Sequence, residues 1–131
     1  MKEKSCHAFR VFKTRWFSKA AKKESISDSE LCLAITQVLN GQAENLGGGV
    51  FKKRLNKNMH RALLLTQSKN HWVYAYLFAK NQRQNIDDLE LIEFRKLADL
   101  YSLMSDKDIA KAVMNKEWIE ICHDKETEIQ K

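Results

Sequence analysis

The chain predicts an α+β fold, with helices packed on a small twisted, mostly antiparallel sheet. Three observations carry that expectation. Residues 45–80 read as three consecutive strands, 45–55, 60–65 and 71–80, and their connections at 56–59 and 67–70 are short enough for antiparallel pairing. The strand over 71–80 is apolar on both sides, with Trp72, Tyr74, Tyr76 and Phe78 on one and Val73, Ala75, Leu77 and Ala79 on the other. That pattern marks a central strand covered on two faces. Around this block, capping residues precede apolar residues at helical spacing. A length of 131 residues favours one domain, 1–131, with loose ends at 1–8 and 124–131.

Taken in order, residues 9–16 alternate imperfectly between Phe9, Val11, Thr14 and Arg10, Lys13, Arg15, which predicts a first strand. A short helix follows over 16–23, bearing Phe17, Ala20 and Ala21. Ser27 with Glu30 has the spacing of a capping box, so a second helix should start at Asp28. Its apolar stripe is Leu31, Ala34, Ile35, Val38 and Leu39, and Gly41 suits its end. Gly47, Gly48 and Gly49 form a loop leading tightly into a strand; no Lys-Ser/Thr helix start follows, so the triplet is not a P-loop. After the three strands, Asp87 or Asp88 caps a third helix to about Met104, buried through Leu91, Phe94, Leu97, Ala98, Tyr101 and Met104. Ser105 with Asp108 starts a fourth helix holding Ile109 and Val113, and 118–122 is a last strand.

Charge is segregated along the chain. The net charge is +6, but residues 1–23 carry +7, 24–51 carry −4, 52–86 carry +8 and 87–131 carry −5. No Asp or Glu lies between Glu44 and Asp87, while Lys52, Lys53, Arg54, Lys57, Arg61, Lys69, Lys80 and Arg83 all do. A folded sheet with that imbalance points to a polyanionic partner, nucleic acid first; the bland alternative is a set of solvated surface lysines. No apolar run approaches the roughly 18–20 residues of a membrane span, and no signal-peptide core follows the basic N-terminus. A cytoplasmic protein without membrane association is expected. Cys6, Cys32 and Cys122 are odd in number and far apart, which argues against a disulfide framework, so Cys32 is expected to pack as a small apolar residue. Neither these cysteines nor His7, His60, His71 and His123 have metal-site spacing, and no metal or other cofactor is expected.

Residues i and i+2 of a strand share a face, so Lys52 and Arg54 point together while Phe51, Lys53 and Leu55 take the other side. Arg61 on the next strand lies near one of these cations. Such a cluster can hold a phosphodiester and stabilise the charge that develops on it in a transition state. RNA cleavage by attack of the 2′-hydroxyl needs no metal, but it needs a base, an acid and an oxyanion stabiliser. The catalytic candidates are therefore Lys52, Arg54, Arg61 and His60, the one histidine beside the cluster. Lys53, Lys57, Lys80 and Arg83 are candidates for RNA phosphate binding. The plain alternative for His60 is a surface residue, and for the Tyr74–Tyr76 stripe it is core.

In order and spacing, RWFSKAAKKESISDSEL (15–31), NLGGGVFKKRL (45–55) and FAKNQRQNI (78–86) resemble the RelE/HigB-like toxins of bacterial type II toxin–antitoxin systems, within the RelE/ParE superfamily. The shared patterns are F-x-x-x-A-x-K-x-x-[IL]-[ST]-[DN], LGGG-x-x-K-x-R and F-A-K-N-x-x-x-N-I, and the resemblance covers most of 9–122. It implies the α+β fold above, an mRNA-cleaving endoribonuclease acting on the ribosome, and a cognate antitoxin of helix-turn-helix type. It also implies that Lys52, Arg54 and Arg61, with Lys80 and Arg83 at the strand end, bind and activate the phosphate. One departure is plain: Asn56-Lys57-Asn58-Met59-His60 stands where the subfamily carries a longer GKSGG-type loop. Two other functions share these features, a ParE-like toxin that inhibits gyrase without cleaving anything and a non-toxic basic nucleic-acid-binding module.

Overall fold

The computed structural model describes residues 9–66 and 70–122. The ends expected to be loose at 1–8 and 124–131 lie outside the described residues, as do Cys6, His7, Lys69, His123 and all but Asn70 of the turn expected at 67–70. The element order is β1 (Arg10–Thr14), α1 (Arg15–Lys23), α2 (Asp28–Leu39), β2 (Glu44–Gly47), β3 (Val50–Leu55), β4 (His60–Leu65), β5 (His71–Ala79), α3 (Asp88–Ser102), α4 (Asp106–Met114) and β6 (Trp118–Ile121). The strands form one six-stranded sheet in the order β2-β3-β4-β5-β1-β6. Only β1 and β5 run parallel; the other neighbours are antiparallel. The architecture is α+β, as expected. Among the described residues, no helix is long and apolar enough to cross a membrane.

Helices cover both faces, which is why the central strands are apolar on both sides. On one face, Phe17, Ala21, Leu31, Ala34, Ile35 and Val38 of α1 and α2 pack on Val11, Leu55, Ala62, Leu64, Trp72 and Tyr74. On the other, α4 packs Ile109 and Ala112 on Phe12, Val73 and Trp118, and α3 packs Ala98, Leu91, Phe94 and Leu97 on Val50 and Leu65. Three helices start on the predicted caps. Asp87 and Ser105 each close a complete capping box, with Glu90 and Asp108 as return partners. Ser27 accepts from the Glu30 N–H, but the return half of that box is not made. The Glu30 carboxylate instead accepts the Asn56 N–H at 2.5 Å, tying α2 to the β3–β4 connection.

Three sequence expectations need correction. Residues 44–47 are a strand, β2, which hairpins onto β3 through Gly48 and Gly49; all three glycines of the triplet have φ between 64° and 88°. A Cβ on Gly48 would sit 2.6 Å from the Arg95 side chain, so the turn is also closely covered. The second correction concerns the aromatic stripe on β5. Leu63 pairs with Tyr76 but Leu64 pairs with Tyr74, leaving Ala75 as the extra residue of a β-bulge. The bulge splits the alternation. Trp72 and Tyr74 face α1 and α2, where the buried Tyr74 hydroxyl donates to the Leu31 carbonyl at 2.7 Å and burial pushes its phenol well above the ordinary range. Tyr76 faces α3, 5.6 Å from the Phe94 ring.

Third, Cys32 and Cys122 are joined as a disulfide, with Cα atoms 5.4 Å apart although the two lie 90 positions apart in sequence. Spacing along the chain could not reveal this, because α2 crosses the same face on which β6 ends. Cys32 does pack against the apolar cluster of that face as expected.

Candidate functional site

The β3–β4 register builds the site. Arg54 stands directly opposite Arg61, and Lys52 opposite Leu63. One strand further on, Arg61 is opposite Phe78 and Leu63 is opposite Tyr76. Side chains of directly opposed residues share a face and begin about 4.5–5.5 Å apart. The row Arg54–Arg61–Phe78 therefore lies beside the row Lys52–Leu63–Tyr76 on the α3 side of the sheet. Like charges facing each other across two strands destabilise a sheet, and among the described residues neither Arg54 nor Arg61 forms an ion pair. An anion between them would remove the repulsion.

Arg61 is aimed by the hairpin tip. Its Nη1 donates to the carbonyls of Asn58 and His60, each at 3.1 Å. The Asn58 carbonyl ends a run of three successive left-handed residues, Asn56, Lys57 and Asn58, with φ of 54°, 55° and 71°, and the His60 carbonyl opens β4. Asparagine tolerates that conformation better than other non-glycine residues, which is how so short a connection closes.

Lys52 is held between two partners. Its Nζ lies 3.1 Å from Oε1 of Glu44, its cross-strand neighbour on β2, and 3.2 Å from Oδ1 of Asn85. Glu44, Lys52, Lys53, Arg54, Arg61 and Gln84 wall a cleft of about 400 Å³. Lys53 alternates to the other side of β3 yet borders the same cleft, and its Nζ donates to the Arg54 carbonyl at 3.2 Å. Partial burial, with Arg54 adding to it, holds the Lys53 ammonium below its ordinary pKa.

The remaining candidates are dispersed. Lys57 and Lys80 are exposed, on the hairpin tip and just past β5, and the Lys80 N–H donates to the Met59 carbonyl at 3.0 Å, so the two loops adjoin. Arg83 is already engaged. Its guanidinium makes a two-point pair with Glu90, approaches the Tyr76 hydroxyl at 3.4 Å, lies 5.6 Å from the Phe78 ring centre and donates to the Asn85 carbonyl at 3.0 Å. Arg83 and the Asp87 N–H together hold the Glu90 carboxyl below the usual carboxylate range.

His60 is not in the cleft. It is buried on the opposite face, opposite Leu55, with Nδ1 3.1 Å from the Asn56 amide nitrogen. Its Nε2 lies 3.3 Å from a Glu24 carboxylate oxygen, off-line, and makes no hydrogen bond. The sequence held the signal: His60 precedes Arg61, and successive strand residues point to opposite faces.

Glu44, Gln84 and Asn85 were missed in the sequence. Glu44 is legible only once β2 is recognised as a strand paired to β3. The basic stretch is free of acids only along the chain; in space, Glu44 reaches Lys52 and Glu90 reaches Arg83.

The family model described as the RelE toxin of the RelE/RelB toxin–antitoxin system matches residues 9–121. No curated protein and no solved structure matches the chain. The match spans nearly all described residues, and the chain belongs to the RelE toxin family: it is a toxin of a toxin–antitoxin system, and toxins of this family pair with an antitoxin.

Proposed function

We propose that this RelE-family toxin is an endoribonuclease that cleaves mRNA on the ribosome by attack of the 2′-hydroxyl on the neighbouring phosphorus, without a metal. The observation that carries the reading is the opposed, acid-free pair Arg54 and Arg61, set in one cleft with Lys52 and Glu44. The two guanidiniums hold the non-bridging oxygens and stabilise the added negative charge of the pentavalent transition state. Glu44 is the carboxylate in reach of the cleft to accept the 2′-hydroxyl proton, and Lys52, hydrogen-bonded to it, is the donor for the departing 5′-oxygen. The bond formed is 2′-O–P and the bond broken is P–5′-O, which leaves a 2′,3′-cyclic phosphate and a 5′-hydroxyl. Lys53, Lys57 and Lys80 lie where flanking phosphates would run. Arg83, bound to Glu90, orders the segment over the cleft rather than offering a free charge. His60 has no part in this scheme because it is buried on the other face.

The antitoxin, of helix-turn-helix type, neutralises the toxin by presenting acidic residues to the cleft, with association that weakens as salt rises. Induced expression followed by mapping of RNA 5′ ends tests the reading. Expected are 5′-hydroxyl ends within translated mRNA, and their disappearance in the Arg61→Ala variant. Ends carrying a 5′-phosphate made by the purified toxin would reject the 2′-hydroxyl route. Growth arrest with intact RNA and impaired DNA supercoiling would replace it with the gyrase-directed reading.

A further inference from the structure

Trp16 is the one tryptophan of three that is not buried. Trp72 and Trp118 are 3% and 6% exposed, whereas Trp16 is 50% exposed. A large aromatic ring left half in water is an uncommon arrangement, since tryptophan is highly buried on average. Yet its orientation is set. The indole stacks on the Tyr76 ring, with centroids 5.1 Å apart and planes inclined by 21°. Tyr76 is itself held by Phe94, by Phe78 at 5.9 Å and by the Arg83 contact to its hydroxyl. The ring is therefore pre-oriented and partly open, which lowers the ordering cost of anything that stacks on it.

Its position relates it to the cleft. The bulge at Ala75 turned Tyr76 and Phe78 onto the face that carries Arg54 and Arg61, and Phe78 is the cross-strand neighbour of Arg61. Strands lie about 4.8 Å apart, so the β5 row stands about 10 Å from the β3 cations, and the Trp16 ring lies a further 5.1 Å beyond Tyr76, a reach of about two nucleotides of single strand. The helix that carries Trp16 is cationic. Arg15, Lys19, Lys22 and Lys23 lie on α1 with no acidic residue in it, and Lys19 is exposed three positions from Trp16, on the same helical side. An aromatic ring at the end of a row of cations, with further cations beyond, suits single-stranded nucleic acid.

We propose that Trp16, backed by Tyr76, is a stacking platform for one unpaired base of single-stranded RNA, within about two nucleotides of the phosphate held by Arg54 and Arg61. The platform positions RNA and has no preference for base identity through hydrogen bonds, because an indole face reads only a π surface. This rests on the reading of the cleft as an RNA site, and the test separates the two.

The full-length toxin is titrated with a short single-stranded RNA carrying 2′-O-methyl groups, which cannot be cleaved by 2′-hydroxyl attack. Acrylamide quenching of tryptophan emission reports Trp16, the accessible one among the three. RNA should shield it, and Trp16→Phe should abolish the shielding signal. Trp16→Leu, which keeps apolar bulk without a ring of π electrons, should weaken RNA binding about tenfold, and Trp16→Phe should recover most of that loss. Thermal melting of each variant checks folding. Wild-type affinity in Trp16→Leu, with binding still lost in Arg61→Ala, overturns the platform and leaves the cleft reading intact. No RNA binding by the wild type overturns both. Shielding by the antitoxin but not by RNA assigns Trp16 to a protein contact and also overturns the platform.

Discussion

The two ends of the sheet carry opposite kinds of cross-strand charge. At the β1–β6 end, Arg10 makes a two-point pair with Glu120, at 2.9 and 2.7 Å, and the Cys32–Cys122 disulfide ties the end of β6 to α2. At the β3–β4 end, Arg54 faces Arg61, and among the described residues no disulfide or carboxylate bridges them. One end is complementary, and each contact there favours the fold. The other end holds like charges in register, an arrangement that costs stability and that the anion site proposed above would account for. Local conflict with folding rules is what a functional site looks like when the rest of the molecule is locally consistent.

The largest expected effect lies at the complementary end. A crosslink closing a loop of this length removes unfolded-state entropy worth about 4–5 kcal/mol in the chain-entropy model. The Cys32→Ser/Cys122→Ser variant should therefore show a much lower denaturant midpoint than the wild type under non-reducing conditions. Dithiothreitol should bring the wild type down to the variant. Equal midpoints would mean the crosslink contributes nothing and would weaken the contrast between the two ends.

Next in size is the loss of function at the other end. Removing one stabiliser of a reacting phosphate costs about 2.7–4 kcal/mol in the transition state, a loss of about 10²–10³ in rate. Arg61→Ala and Lys52→Ala should each lose toxicity to that extent and remain folded. Normal growth arrest by the folded double variant would sink the site assignment.

A smaller effect sharpens the comparison directly. In a double-mutant cycle on stability, Arg54→Ala and Arg61→Ala should couple unfavourably, since either change relieves the same repulsion. Arg10→Ala and Glu120→Ala should couple favourably, by about 0.2–1 kcal/mol for a pair this exposed. Coupling of the same sign at both ends would refute the contrast.

The smallest effect is a pH dependence. Burial, with Arg10 beside it, pushes the His71 imidazole below its ordinary pKa at the start of β5. A base with a depressed folded pKa binds fewer protons folded than unfolded. Stability then rises with pH, is full above the unfolded histidine value of about 6.5, and declines as pH falls below it. His71→Gln should flatten that decline in thermal melts between pH 5 and about 7; an unchanged slope would assign the dependence to other groups.

Much of this was legible along the chain because the rules involved are local. The helix starts at Asp28, Asp88 and Asp106 follow from side chains that cap their own first turn. The two sides of β3, with Lys52 and Arg54 apart from Lys53 and Leu55, follow from strand alternation. The same rule excludes His60 from the face of Arg61, although the two are adjacent in sequence. What the chain alone could not decide were relations between residues brought together by register and packing. The bulge at Ala75 depends on how β5 pairs with β4, and it alone turns Tyr76 and Phe78 away from Tyr74 and toward the cations. Glu44 meets Lys52, Glu90 meets Arg83 and Cys32 meets Cys122 because separate segments are packed by the apolar cores beneath them. Periodicity assigns each side chain to a face of its own element, but only the tertiary structure determines which side chains of other elements share that face.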